Sequence, residues 1–147
     1  MGVSALVAAA GLPMLGQEGT AEHIHAHLDV FYDGQPVTVP AGIGIDYGAQ
    51  RISPLHTHDT TGIVHVESPQ VKPFYLGQLF AEWGVQIGGG CIAGQCPPAR
   101  PITVYVDGTA TATAPQSIEL RAHEEIAVVI GTAPSSLPAS YGFPQGY

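Results

Sequence analysis

A chain of 147 residues with four Lys and Arg against twelve Asp and Glu carries a formal charge of −8. That balance excludes a phosphate-tracking nucleic-acid binder, which needs a basic surface, and suits a protein that attracts cations. The length fits one compact domain with a real core, and 19 Gly with 13 Pro point to strands and loops rather than a helical bundle.

The chain opens with an apolar stretch, Val3 to Leu15, which ends before Gln17-Glu18-Gly19. It is too short to span a bilayer and lacks the basic leader of a full signal peptide. It reads as the trailing part of a signal or anchor segment whose start lies upstream. An ordinary buried helix or strand, or an arm docking into a neighbouring subunit, are the alternatives. Residues 1–20 are therefore the candidates for self-association or for membrane anchoring upstream. The domain proper is expected over 21–132 and a Pro/Gly-rich tail over 133–147.

Next comes His23-Ile24-His25-Ala26-His27-Leu28-Asp29-Val30, running through Asp33-Gly34 into Pro36-Val37-Thr38-Val39. Asp-Gly between alternating apolar runs predicts a two-residue type I′ hairpin. Tyr32 then faces Gln35, Val30 faces Val37 and Leu28 faces Val39. Because side chains alternate along a strand, Ile24, Ala26, Leu28, Val30, Val37 and Val39 form an apolar face. His23, His25, His27 and Asp29 share the other.

After a glycine-rich crossing (41–49), Leu55-His56-Thr57-His58-Asp59-Thr60-Thr61-Gly62-Ile63-Val64-His65-Val66-Glu67 repeats the pattern. A four-residue loop from Asp59 to Gly62 sets His56 directly across from His65. Leu55, Thr57, Val64 and Val66 then face the core, and His56, His58, His65 and Glu67 face away. Six of the seven histidines fall in these two hairpins. His123, in Arg121-Ala122-His123-Glu124-Glu125, belongs to neither and reads as a turn residue.

Leu76, Leu79, Phe80 and Trp83, at i, i+3, i+4 and i+7, predict one face of a short amphipathic helix, with Gly84 as its left-handed terminator. Cys91 and Cys96 follow in a glycine-rich loop. An even count in an apparently exported chain suggests a disulfide, worth about 2 kcal/mol for so small a loop. The four-residue spacing fits a zinc knuckle poorly. Ile102–Val106 and Thr109–Thr113 around Asp107-Gly108 predict a second hairpin, and Ile118–Leu120 and Glu125–Ile130 two more strands. Tyr141, Phe143 and Tyr147 are candidate anchors for the tail. Strands, one helix, then strands imply an α+β domain with a mixed sheet, β-grasp-like.

The segments His-Ile-His-Ala-His-Leu-Asp-Val-Phe-Tyr-Asp-Gly (23–34), Leu-His-Thr-His-Asp-Thr-Thr-Gly-Ile-Val-His-Val-Glu (55–67) and Leu-Gly-Gln-Leu-Phe-Ala-Glu-Trp-Gly (76–84), with Ile-Ala-Val-Val-Ile-Gly (126–131) and Tyr-Gly-Phe-Pro (141–144), resemble a group of uncharacterised, exported or membrane-anchored bacterial proteins. The resemblance covers nearly everything after the apolar stretch. It implies an extracytoplasmic domain and says nothing of reaction or ligand.

The leading functional reading is an extracytoplasmic transition-metal-binding protein, secreted or membrane-anchored. Clustered imidazoles suit copper(II) or zinc, which fit better than a thioether-rich copper(I) site, since neither cluster contains a methionine and the chain has only Met1 and Met14. The candidate ligands are His23, His25, His27, His56, His58 and His65, with Asp29, Asp59 and Glu67 as carboxylates orienting them. One shared site is expected, in which His27 and His56 act together. Two other readings use the same features: a structural surface or filament subunit assembled through residues 1–20, and a metal-dependent hydrolase or lyase, for which no His-Glu-x-x-His or Gly-x-Ser-x-Gly signature is present.

Overall fold

The computed structural model describes residues 1–147. A seven-stranded mixed sheet carries the domain, in the order β10-β9-β11-β1-β6-β5, with β2 pairing the same edge of β1 beyond β6. The strands are β1 (Glu22–Tyr32), β2 (Gln35–Val37), β5 (Leu55–His56), β6 (Ile63–Ser68), β9 (Ile102–Val106), β10 (Thr109–Thr111) and β11 (Glu125–Ile130). β1 and β11 are parallel and every other pairing is antiparallel. The path β2-β1-β11-β9, with its parallel pair central, is the β-grasp-like arrangement expected of the chain. Two two-stranded ribbons lie outside the sheet, β3 (Ile45–Asp46) with β4 (Arg51–Ile52) and β7 (Ile87–Gly88) with β8 (Cys91–Ile92).

Helix α2 spans Leu76–Trp83 and ends on Gly84 at φ 80°, as its apolar spacing and terminator predict. Its buried Leu76, Leu79 and Phe80 join Ala26, Leu28, Val64, Val66, Ile126 and Val128 in the core. The apolar amino-terminal stretch forms helix α1 (Val3–Ala9), which packs against α2, with Val7 and Leu12 buried. No helix is long and apolar enough to cross a membrane. Cys91 and Cys96 form a disulfide.

Three local expectations are corrected. The first hairpin pairs Tyr32 with Gln35 and Val30 with Val37, but its ladder stops there. Leu28 instead donates its N–H to the Gly62 carbonyl, 2.9 Å away. Val37, assigned to the core face, is therefore exposed on a three-residue edge strand. Ile118–Leu120 forms no strand; a single bridge, Tyr75 to Glu119, replaces it after a 3₁₀ turn at Pro115–Ser117. Strand β10 ends at Thr111, two residues early.

Candidate metal centre

Strand β6 is the spine of the centre. Its His65 lies opposite His56 of β5 on one side and opposite His25 of β1 on the other. Its Glu67 lies opposite His23. The alternation that buries Leu55, Val64, Val66 and Ala26 on the helix side of the sheet sends these polar side chains to the other side. The imidazoles meet there: ring centroids are 4.7 Å apart for His25 and His65, 4.6 Å for His58 and His65, and 5.4 Å for His56 and His65.

The Glu67 carboxylate sits among them. Its Oε1 is 3.5 Å from His56 Nε2, 3.4 Å from His65 Nδ1 and 3.8 Å from His23 Nε2. Glu67 was expected to orient the ligands; its place is beside them, as a ligand candidate in its own right. Bonds of about 2.0–2.1 Å around a tetrahedral ion set neighbouring donor atoms about 3.3 Å apart, close to the first two distances. His56, His58, His65 and Glu67 present ligand atoms all within 4.8 Å of one another, and His23, His25 and Glu67 do likewise.

The tautomer of His56 follows from its surroundings. Its Nδ1 lies 2.8 Å from the Ser53 carbonyl, an acceptor only, so Nδ1 carries the hydrogen and Nε2 keeps a lone pair. A ligating histidine is usually held in this way by a carbonyl or carboxylate on its other nitrogen. Ser53 is itself fixed, donating its hydroxyl to the buried Glu82 of α2 at 2.5 Å and accepting from the Leu55 N–H. Nε2 of His56 and Nδ1 of His65 are both buried and make no hydrogen bond. Burial, opposed only in part by the Ser53 carbonyl, lowers His56 to about 4; burial and the neighbouring imidazoles lower His65 to about 3. Both rings are neutral and competent to ligate at physiological pH.

Glu18 was not foreseen. It reaches in from the irregular segment before β1, with Oε1 3.4 Å from His58 Nε2 and 4.0 Å from His56 Nε2. Burial, and then a hydrogen bond with Glu18, raise Glu67 to about 8, while that same hydrogen bond lowers Glu18. In the metal-free protein Glu67 thus holds a proton against an ionised Glu18. Asp59 serves elsewhere: its Oδ1 accepts from the Thr61 N–H and hydroxyl and shapes the 59–62 loop.

His27 does not share this centre. It lies two residues beyond His25 on β1, a rung further along the sheet, where its neighbour on β11 is Glu125. Its Nε2–H donates to the Thr61 carbonyl at 2.6 Å, and Nδ1 is 2.6 Å from Glu125 and 3.4 Å from Asp29. Gly62 makes the first contact possible: at φ +88°, a Cβ there would lie 2.9 Å from His27 Nε2 and would clash with the Leu28 carbonyl oxygen. Although burial disfavours a charged ring, the hydrogen bonds to Asp29, Glu125 and Thr61 prevail and raise His27 to about 9. The trio is an imidazolium held between Asp29, which is lowered against burial by its hydrogen bond to His27, and Glu125, which burial raises to about 8 against its own hydrogen bond to His27. The 2.6 Å contact has the length of a charge-assisted hydrogen bond. Asp29 thus belongs to His27 rather than to the six-residue cluster.

A folded-state pKa above the unfolded value of about 6.5 stabilises the fold fully below pH 6.5 and is lost as pH rises toward 9. The stability of metal-free protein, followed by denaturant unfolding, is expected to fall across that window. His27→Gln should lack this component; an identical decline in the variant would assign it to other groups.

The tail covers both groups. Tyr147 stacks on His25 at 4.4 Å and Tyr141 on His27 at 3.6 Å. His123, a turn residue at φ 59° as expected, donates from Nε2 to the Tyr147 carbonyl at 2.7 Å and packs against Phe143. A cleft of about 240 Å³ remains open over the cluster, lined by Glu18, His23, His58 and Glu67 among others. No family model, curated protein or solved structure matches the chain.

Proposed function

We propose that this is an extracytoplasmic transition-metal-binding protein whose centre is His56, His58, His65 and Glu67. The observation that carries the reading is the pair of buried ring nitrogens without a hydrogen-bond partner, His56 Nε2 with its lone pair and His65 Nδ1, beside the Glu67 carboxylate. Buried polar atoms are rarely left without partners, and a cation supplies what both lack. Three imidazoles and one carboxylate suit zinc or copper(II) better than calcium or magnesium, which seek oxygen-rich shells. The Cys91–Cys96 disulfide supports an oxidising compartment, in line with the resemblance to exported proteins.

Elemental analysis of protein purified without a histidine tag tests the reading. It predicts zinc or copper near stoichiometric levels, or uptake to that level on titration. Less than about a tenth of an equivalent with no uptake of either ion would overturn it.

Binding has a definite pH signature. The ion must displace the Glu67 proton, held to about pH 8, so affinity is expected to fall roughly tenfold per pH unit below 8. His56 and His65 resist protonation to about 4 and about 3, so neither adds to that slope near neutrality. Calorimetry in two buffers of different ionisation enthalpy should show about one proton, that on Glu67, released per protein molecule at pH 7. Glu67→Gln should release none. A flat profile in the unsubstituted protein contradicts this assignment of Glu67.

The open cleft beside the half-exposed His58 also favours a second reading. A metal with a vacant position can activate water, and the ionised Glu18 is placed to accept its proton. That describes a hydrolase or lyase.

A further inference from the structure

Resting on the metal-binding reading above, we propose that the centre is dinuclear. The Glu67 carboxylate bridges one ion held by His56, His58 and His65 and a second divalent ion, zinc or copper(II), held by His23 and His25. Glu67 belongs to both groups of mutually close ligand atoms, and its Oε1 faces His56 and His65 on one flank and His23 on the other at 3.4–3.8 Å.

The sheet explains why two ions fit better than one. β6 lies between β5 and β1, and neighbouring strands are about 4.8 Å apart. The His56 side and the His23–His25 side therefore stand about two strand spacings apart across the β6 residues. Five imidazoles exceed the four positions of a tetrahedral ion, whereas three and two, sharing a central carboxylate, make two half-sites. Paired ions in such centres sit about 3.5–4 Å apart, a separation one bridging carboxylate spans. Both groups line the same cleft as Glu18, whose carboxylate, 3.4 Å from His58 Nε2, adds a second negative charge beside two divalent cations. Tyr147 stacks on His25 and lies edge-on to His65 at 5.6 Å, so one aromatic ring spans both half-sites.

Copper(II) titration followed by electron paramagnetic resonance tests this. The full-length protein should take up two equivalents. Its integrated spin intensity should fall clearly below its copper content, with a half-field transition from the coupled pair. His23→Ala, at an exposed position, and the double variant His23→Ala/His25→Ala should retain one equivalent with one full spin per copper. Glu125→Gln should keep two coupled ions. One equivalent in the unsubstituted protein, or two with additive uncoupled spins, overturns the dinuclear centre and leaves the mononuclear one standing. Loss of an equivalent in Glu125→Gln places the second ion at His27 and also overturns it. No copper uptake at all overturns the parent reading with it.

Discussion

His56→Ala is expected to lower zinc or copper(II) affinity by at least about 100-fold, because loss of a mere orienting partner already costs 10–100-fold and His56 is a ligand candidate with a fixed tautomer. The effect should not add to that of His65→Ala. The two rings lie across one ladder and converge on one carboxylate, and groups sharing a site couple. The double variant should therefore lose much less than the sum of the two single losses, as measured by competition against a chelator. Far-ultraviolet circular dichroism and the melting temperature separate this from misfolding, since His56 is fully buried. Near-unchanged affinity in a folded His56→Ala protein would remove this residue from the centre.

Glu125→Ala should act on stability instead. His27 and Glu125 are both almost wholly buried, with side chains 4% and 1% exposed. Deleting one partner of a buried pair costs most where the other charge is left with none. Here Asp29, 3.4 Å from His27 and partly exposed, remains as its counter-charge, so the loss should be that of a buried hydrogen-bond partner, about 2–3 kcal/mol. For a chain of this size the melting temperature should drop by roughly 4–12 °C. Replacing both residues by leucine should restore most of that, because well-packed apolar pairs substitute for buried ion pairs at little cost. If Glu125→Ala melts within a degree or two of the unsubstituted protein, the trio is not the structural ion pair its geometry describes. Zinc affinity of the folded variant should stay within about threefold, separating this pair from the metal centre.

These two residues also show how far the sequence alone could lead. The His56–His65 pairing was legible because a four-residue loop joins their strands, so a local turn sets the register and with it the face of every side chain. His25 opposite His65 required the pairing of β1 with β6, nearly forty residues along, and the expected partnership of His27 with His56 placed the contact one rung too far. The true neighbour of His27, Glu125, comes from β11, 98 positions later, where no local signal links them. Glu18 lies in a segment without periodicity, so nothing in its spacing marked it as facing His58. Glu67 was found, but as a helper. Its rank depends on where Oε1 points among three rings, which periodicity does not encode. The helix and its glycine terminator were fully legible, since spacing of four apolar residues and one left-handed glycine are local properties. The tail was legible only as aromatic residues in need of a surface; the stacking on His25 and His27 needed the folded sheet.

If His56 Nε2 and His65 Nδ1 ligate a transition metal, an anomalous difference map at the zinc edge, from crystals grown with zinc, should locate the ion between them. A peak is expected within about 2.3 Å of both nitrogens and in contact with Glu67. Zinc found only at His27 or at scattered surface positions, with those two nitrogens bare, would contradict that ligation.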